Sequence, residues 1–272
     1  MPPRLTRLPL VALLLGTALT ACSSTKEELD YVERPAEQIY QEADAAMQEE
    51  RFKTAAKLYD EVERQHPYSE WAAKAQIMAA YAHYQDLKYD DAIMALDRYI
   101  QLHPGSKDVA YAYYMRALSY YEQITDVRRD QRMTSRALEA LSEVVRRFPE
   151  SQYARDAKIK IDLTNDHLAG KEMEVGRFYM KQGQQTAAIG RFRTVIENYQ
   201  TTSHVPEALH RLVECYLALG ITDEAKTAAA VLGHNFPGSE WYTDSYALLV
   251  DANVRPERND KSWISKAWSS LF

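Results

Sequence analysis

The chain has 272 residues and a net charge of −6, with 33 Lys and Arg against 39 Asp and Glu. An acidic surplus supplies no positive field for phosphates, so a nucleic-acid partner is excluded. Nine glycines and few alternating apolar runs point to an all-α protein.

In chain order, the first element is a leader. Arg4 and Arg7 precede a mostly apolar run of 14 residues, Leu8 to Ala21. The run is too short to cross a membrane stably and suits a signal-peptide core, so residues 1–21 are expected to be removed. It ends in Leu19-Thr20-Ala21-Cys22, which resembles the bacterial lipobox. That resemblance implies a mature chain starting at Cys22, whose N-terminus carries diacylglycerol and a fatty acyl group such as palmitate. Ser23, where an aspartate would retain a lipoprotein in the inner membrane, implies the outer membrane. Loss of residues 1–21 leaves 31 basic and 39 acidic residues, a net charge of −8. Cys215 is then the only free thiol and no intramolecular disulfide is possible. It sits among apolar neighbours in LVECYLALG (212–220) and reads as a buried structural thiol. Residues 22–35 are polar and read as a flexible lipid-proximal tether.

From residue 36 the chain repeats itself. HPYSEWAAKA (66–75), HPGSKDVAYA (103–112), FPESQYARDA (148–157) and FPGSEWYTDS (236–245) share one punctuation. Proline marks where a helix has ended, and a serine two residues on can cap the next. With these prolines at position 32 of a 34-residue frame, small or apolar residues recur at positions 8, 20 and 24. They are Ala43, Ala55 and Tyr59; Ala80, Ala92 and Leu96; Ala117, Ala137 and Leu141; Gly176, Ala188 and Phe192; Val213, Ala225 and Ala229. The third unit carries a charged insertion, ITDVRRDQR (124–132), and the fourth ends at Gln200 in place of proline. This resembles the tetratricopeptide repeat and implies a right-handed solenoid of about five helical hairpins plus a capping helix, Ser239–Asp251.

The third and fourth unit ends lie 51 residues apart where 37 is usual here. The surplus predicts a long helix over 151–180, with a weak point at Ala169-Gly170. That point would divide repeats one to three (36–150) from repeats four and five with the cap (151–251). A linker and short amphipathic tail follow over 252–272. Trp263, Ala267 and Leu271, flanked by Ile264 and Trp268, form one apolar stripe, expected to dock on a partner rather than on the solenoid.

Lipobox, acidic tether and five repeats together resemble the BamD family of lipoproteins, also called competence lipoproteins, of the outer-membrane β-barrel assembly machinery. The resemblance is carried further by YDEVERQHPYSEWAAKAQ (59–76), DRYIQLHPGSKDVAYAYYMRALSYYEQI (97–124) and ARDAKIKIDLTNDHLAGKEMEVGRFYMKQ (154–182). It covers residue 19 to about 250; the stretch after 252 departs from it. It implies a scaffold rather than an enzyme, facing the periplasm from a lipid anchor. Implied partners are the periplasmic domains of BamA, accessory lipoproteins including BamE, and the C-terminal signals of unfolded outer-membrane proteins, which are apolar and end in an aromatic residue.

Two surfaces follow. The concave face of such arrays is lined by positions 2, 5, 9 and 12 of each first helix. Here these include Tyr40, Met47, Ile77, Tyr81, Tyr84, Tyr111, Tyr114 and Tyr121, an aromatic density confined to the first three units. Tyrosines there serve two readings: contact with an apolar peptide, or packing of hairpin against hairpin. The lysine and asparagine with which chaperone-binding relatives clamp a terminal carboxylate are replaced by Tyr40 and Asp44. In the C-terminal half, the Ala188-Ile189-Gly190-Arg191 setting matches the family's BamA contact and brings Arg191 and Arg193 forward, against the alternative of solvated charges. His66 and His103 end helices, and no HExxH, cysteine cluster, phosphate loop or nucleophile elbow is present, so no enzyme and no metal or other cofactor is expected. The competing function is a lipoprotein adaptor regulating cell-wall synthesis, which the fold alone does not separate.

Overall fold

The computed structural model describes residues 33–253 and 261–269, with side chains given as far as Ala267 in the last segment. The chain divides into two compact units, Met1–Arg34 and Pro35–Phe272; only Glu33 and Arg34 of the first are described. The leader, Cys22 and most of the tether lie outside the described residues, as do the linker from 254 to 260 and Leu271.

Twelve helices and no strands make up the described residues. The first three hairpins are α1 (Ala36–Gln48) with α2 (Phe52–Gln65), α3 (Glu70–Gln85) with α4 (Tyr89–Leu102), and α5 (Val109–Tyr121) with α6 (Arg132–Arg147). Then come α7 (Gln152–Lys181) with α8 (Gln185–Asn198) and α9 (Val205–Ala218) with α10 (Thr222–Asn235), followed by α11 (Glu240–Asp251) and α12 (Trp263–Ser269). Five hairpins and a terminal helix agree with the repeat frame, and 122–131 is the connection between α5 and α6.

The recurring punctuation has a common geometry. A ring-bearing residue ends each second helix: His66, His103, Phe148, Tyr199 and Phe236, with φ between −127° and −133°. Its carbonyl then accepts a hydrogen bond from the N–H three residues on, at Ser69, Ser106, Ser151, Thr202 and Ser239. Neither group belongs to the proline, so the turn at Gln200 forms without one. The hydroxyls of Ser151 and Ser239 accept from the N–H of Ala154 (3.1 Å) and Trp241 (3.3 Å), as helix caps do. Ser106 accepts from the Asp108 N–H at 3.2 Å. The expected cap at Ser69 does not form: it is the N-cap residue of α3, but its buried hydroxyl has no hydrogen-bond partner among the described residues.

Every residue at positions 8, 20 and 24 is buried. The reason is close approach, clearest at Gly176 on α7. A Cβ there would lie 2.4 Å from Cε1 of the fully buried Phe192 on α8.

The expected long helix forms, but without the weak point. α7 runs unbroken for 30 residues through Ala169 and Gly170. Two connections clasp its middle instead of letting it bend. Thr125 O lies 2.6 Å from His167 Nε2, and Lys171 Nζ donates to Arg128 O at 3.2 Å. From the other side Ser203 donates through its N–H (2.9 Å) and hydroxyl (2.7 Å) to Asp166. Gly170 makes room, since a Cβ would lie 3.1 Å from His204 Nε2 and 3.4 Å from Val127 Cγ1. Glycine within a helix costs about 1 kcal/mol relative to alanine, and here the loop contacts offset it. Ala157 and Ile161 of α7 join a core cluster with Leu141 and Val144, whereas Ala169 and Met173 join a second cluster built from α8 to α12.

The tail also departs from expectation, because it packs on the chain's own array. Ile264 is fully buried in the C-terminal cluster. Trp263 Nε1 donates to Tyr216 Oη at 3.1 Å, Ser262 to Glu224 at 2.6 Å, and Gln200 Nε2 to Ala267 O at 3.3 Å. The apolar stripe was legible, but its acceptor surface is assembled from α8, α9 and α10 and has no signature in the tail itself.

Candidate functional site

The eight residues expected on the concave face fall on α1, α3 and α5, and the structure gives most of the tyrosines a partner. Ile77 is buried; the other seven are half-buried. Tyr40 packs on Trp71 with ring centroids 4.9 Å apart, and Met47 lies against the same first-hairpin core. Tyr114 stacks on Tyr153 at 5.3 Å, and Tyr111 meets the same ring at 5.6 Å. Tyr81, Tyr84 and Tyr111 cover a core of Ile77, Ala80, Leu96, Ala112 and Met115. Tyr121 lies under the Lys160 ammonium at 4.8 Å.

Two hydroxyls on this strip, and one buried beneath it, are anchored by carboxylates. Tyr84 Oη donates to Glu122 at 3.2 Å, Tyr114 to Asp156, and Tyr59, beneath Tyr40, to Asp44. Burial, then the neighbouring carboxylate, pushes the Tyr84 and Tyr114 hydroxyls up, so both stay protonated donors. Burial and the neighbouring tyrosines push Tyr111 up to about 12. The strip thus presents aromatic rings with carboxylates at its polar edge.

Trp71 and Tyr153 were not among the sequence-derived site residues, although the signal for them was present. Each lies two residues after the serine of its punctuation, as does Trp241. Each packs on the position-5 residue of the preceding hairpin: Trp71 on Tyr40, Tyr153 on Tyr114, and Trp241 on His210 at 5.2 Å. Asp108 holds that place after the second hairpin, where position 5 is Ile77 and no ring is needed.

In the C-terminal half this seat becomes polar. His210 is almost fully buried, with Nδ1 2.8 Å from Ser245 Oγ. Arg177 donates to both oxygens of Glu207, which ties α7 to α9, and to Glu174 on its own helix; Arg211 donates to Glu214 at 2.7 Å within α9. Arg191 and Arg193 share α8 and are exposed. Arg191 reaches Glu172 at 3.2 Å; Arg193 bonds Glu197 at 2.7 Å and lies 4.6 Å over the Trp263 ring. Cys215 is buried, and burial pushes its thiol up to about 12, so it is protonated at neutral pH.

With this geometry, the chain matches the family model YfiO, described as an outer membrane lipoprotein, over residues 32–232. The chain belongs to this BamD family. A curated relative from Caulobacter vibrioides, outer membrane protein assembly factor BamD, is 50% identical over 249 residues, covering 91% of this chain and 82% of its own. The BamD of Rickettsia prowazekii is 45% identical over 246 residues, covering 90% and 98%. Among solved structures, a thermophilic tetratricopeptide-repeat protein of Thermus thermophilus aligns with 79% of this chain and all of its own, at 16% identity and a TM-score of 0.37. Among the described residues no helix is long and apolar enough to cross a membrane, and no cluster of three or more His, Cys, Asp or Glu could hold a metal ion.

Proposed function

We propose that the protein is a periplasm-facing scaffold in outer-membrane protein assembly, anchored by lipid on Cys22. Membership of a lipoprotein family whose curated members are outer membrane protein assembly factors carries this reading. The array then works in two parts, 36–150 and 151–251, joined through α7. The aromatic strip of the first part receives unfolded outer-membrane protein segments that end in an aromatic residue. The second part binds the periplasmic domains of BamA through the face bearing Arg191 and Arg193, with BamE and other accessory lipoproteins joining the same assembly. The exposure of both arginines and their place on one helix support that face.

The test is co-purification of the intact lipoprotein in mild detergent, with Arg191→Glu alongside. Recovery of an outer-membrane barrel protein with periplasmic domains is expected, reduced in the variant. Loss of a buried interfacial charge pair costs about 2–5 kcal/mol, far more than a rim charge. Recovery of cell-wall synthases in its place would replace this reading with the adaptor one.

A further inference from the structure

The aromatic strip carries a charge rule that its apolar character conceals. Asp44, Glu122 and Asp156 all lie along it, each accepting a tyrosine hydroxyl. These bonds satisfy oxygen lone pairs and leave the charges of Asp44 and Glu122 in place, whereas that of Asp156 is offset by the Lys160 ammonium beside it. The two lysines beside the strip are already engaged. Lys160 Nζ lies 3.8 Å from Asp156 and faces the Tyr121 ring, and Lys74 Nζ lies 4.9 Å over the Trp71 ring. Glu122 is exposed, and its carboxylate accepts from the uncharged Tyr84 hydroxyl. A ligand on the rings of Tyr40 and Tyr84 therefore meets apolar faces flanked by the negative charges of Asp44 and Glu122.

We propose that the strip selects polypeptide segments by their aromatic and apolar side chains where the flanking charge is neutral or positive, and discriminates against a free carboxylate beside the bound aromatic residue. This rests on the peptide-binding reading of the strip and deepens it. Like-charge juxtaposition is the standard device for rejecting a wrong partner. On this geometry the terminal carboxylate of a bound chain end is not held by the protein and must turn to solvent. An aromatic residue inside a chain, which has no such charge, is accommodated at least as well.

The experiment uses one synthetic peptide with alternating apolar residues and a C-terminal phenylalanine, made as the free acid and as the amide. Binding to the full chain is read by fluorescence anisotropy. The amide is expected to bind about three- to tenfold tighter at low salt, the order for one or two like charges at partly screened separation, with the ratio falling as salt rises. In the Asp44→Asn/Glu122→Gln double variant the side-chain carbonyls still accept the tyrosine hydroxyls, and the ratio should approach one. Glu122→Gln alone, at an exposed position, gives a smaller change of the same sign and stands in should the double variant not fold. Equal or tighter binding of the free acid overturns the charge rule while leaving the strip as a peptide site. Failure of both peptides to bind, or binding unaffected by joint Tyr84→Ala and Tyr114→Ala substitution in a folded chain, overturns the peptide reading itself and the charge rule with it.

Discussion

Gly176 and Gly190 both lie inside helices, yet substitution by alanine should move stability in opposite directions. At Gly190 nothing lies within 4 Å of a Cβ, and the position is exposed on α8. Gly190→Ala should therefore recover the helix-propensity difference, about 1 kcal/mol in favour of the fold. The same gain applies at Gly176, but the new Cβ would stand 2.4, 2.7 and 2.9 Å from three atoms of the Phe192 ring. Phe192 is fully buried, with core atoms around it, and has no solvent side to swing toward. Overpacking of this kind costs about 1–3 kcal/mol. The sum is zero to about 2 kcal/mol of destabilisation for Gly176→Ala, and the gap between the two variants is the packing cost itself. Urea denaturation followed by helical circular dichroism measures both. Phe192→Leu supplies the control: it removes the ring edge, so the double variant should lose less than the two single changes added together, with a coupling of about 1 kcal/mol. Equal stabilisation by both alanine substitutions would refute close helix approach as the reason for small residues at position 8.

Ile264→Ala should lower stability, by up to about 2–5 kcal/mol if the tail stays seated, because its side chain is fully buried in the C-terminal core; urea denaturation and proteolysis of the released tail check this. Leu87 has φ +60° in the turn between α3 and α4 and is 69% exposed. Leu87→Gly should be neutral or stabilising by up to about 1.5 kcal/mol in thermal denaturation, since relief of about 1–2 kcal/mol of left-handed strain matches or exceeds the entropic cost of glycine, about 0.5–1 kcal/mol. Burial holds His210 below its ordinary value, with Glu214 opposing and Arg211 assisting. The unfolded chain then takes up a proton first, so stability is full above about pH 6.5 and falls as pH drops from there toward the lowered folded-state value. Measured from pH 7 to 5, His210→Gln should flatten that decline.

Sequence alone determined the number of hairpins and the packing frame, because a repeat restates the same local chemistry. The turn at each unit's end is built from a carbonyl and an N–H three residues apart, and the small residues at positions 8 and 20 follow from how near two helices must come. The aromatic strip was legible for the same reason, since helical spacing puts positions 5, 9 and 12 on one face. What one helix meets from another was not legible. Glu122 and Asp156 became part of the strip only when α5 and α7 placed them at the hydroxyls of Tyr84 and Tyr114. Composition marked Ala169-Gly170 as a weak point, but loops distant in sequence clasp it and the helix continues. The tail's stripe showed that it must be covered, and only the tertiary structure supplied the cover, on α8 to α10. Periodicity records which face of an element is apolar; it carries no information about which distant surface completes it, and that pairing is set by three-dimensional packing.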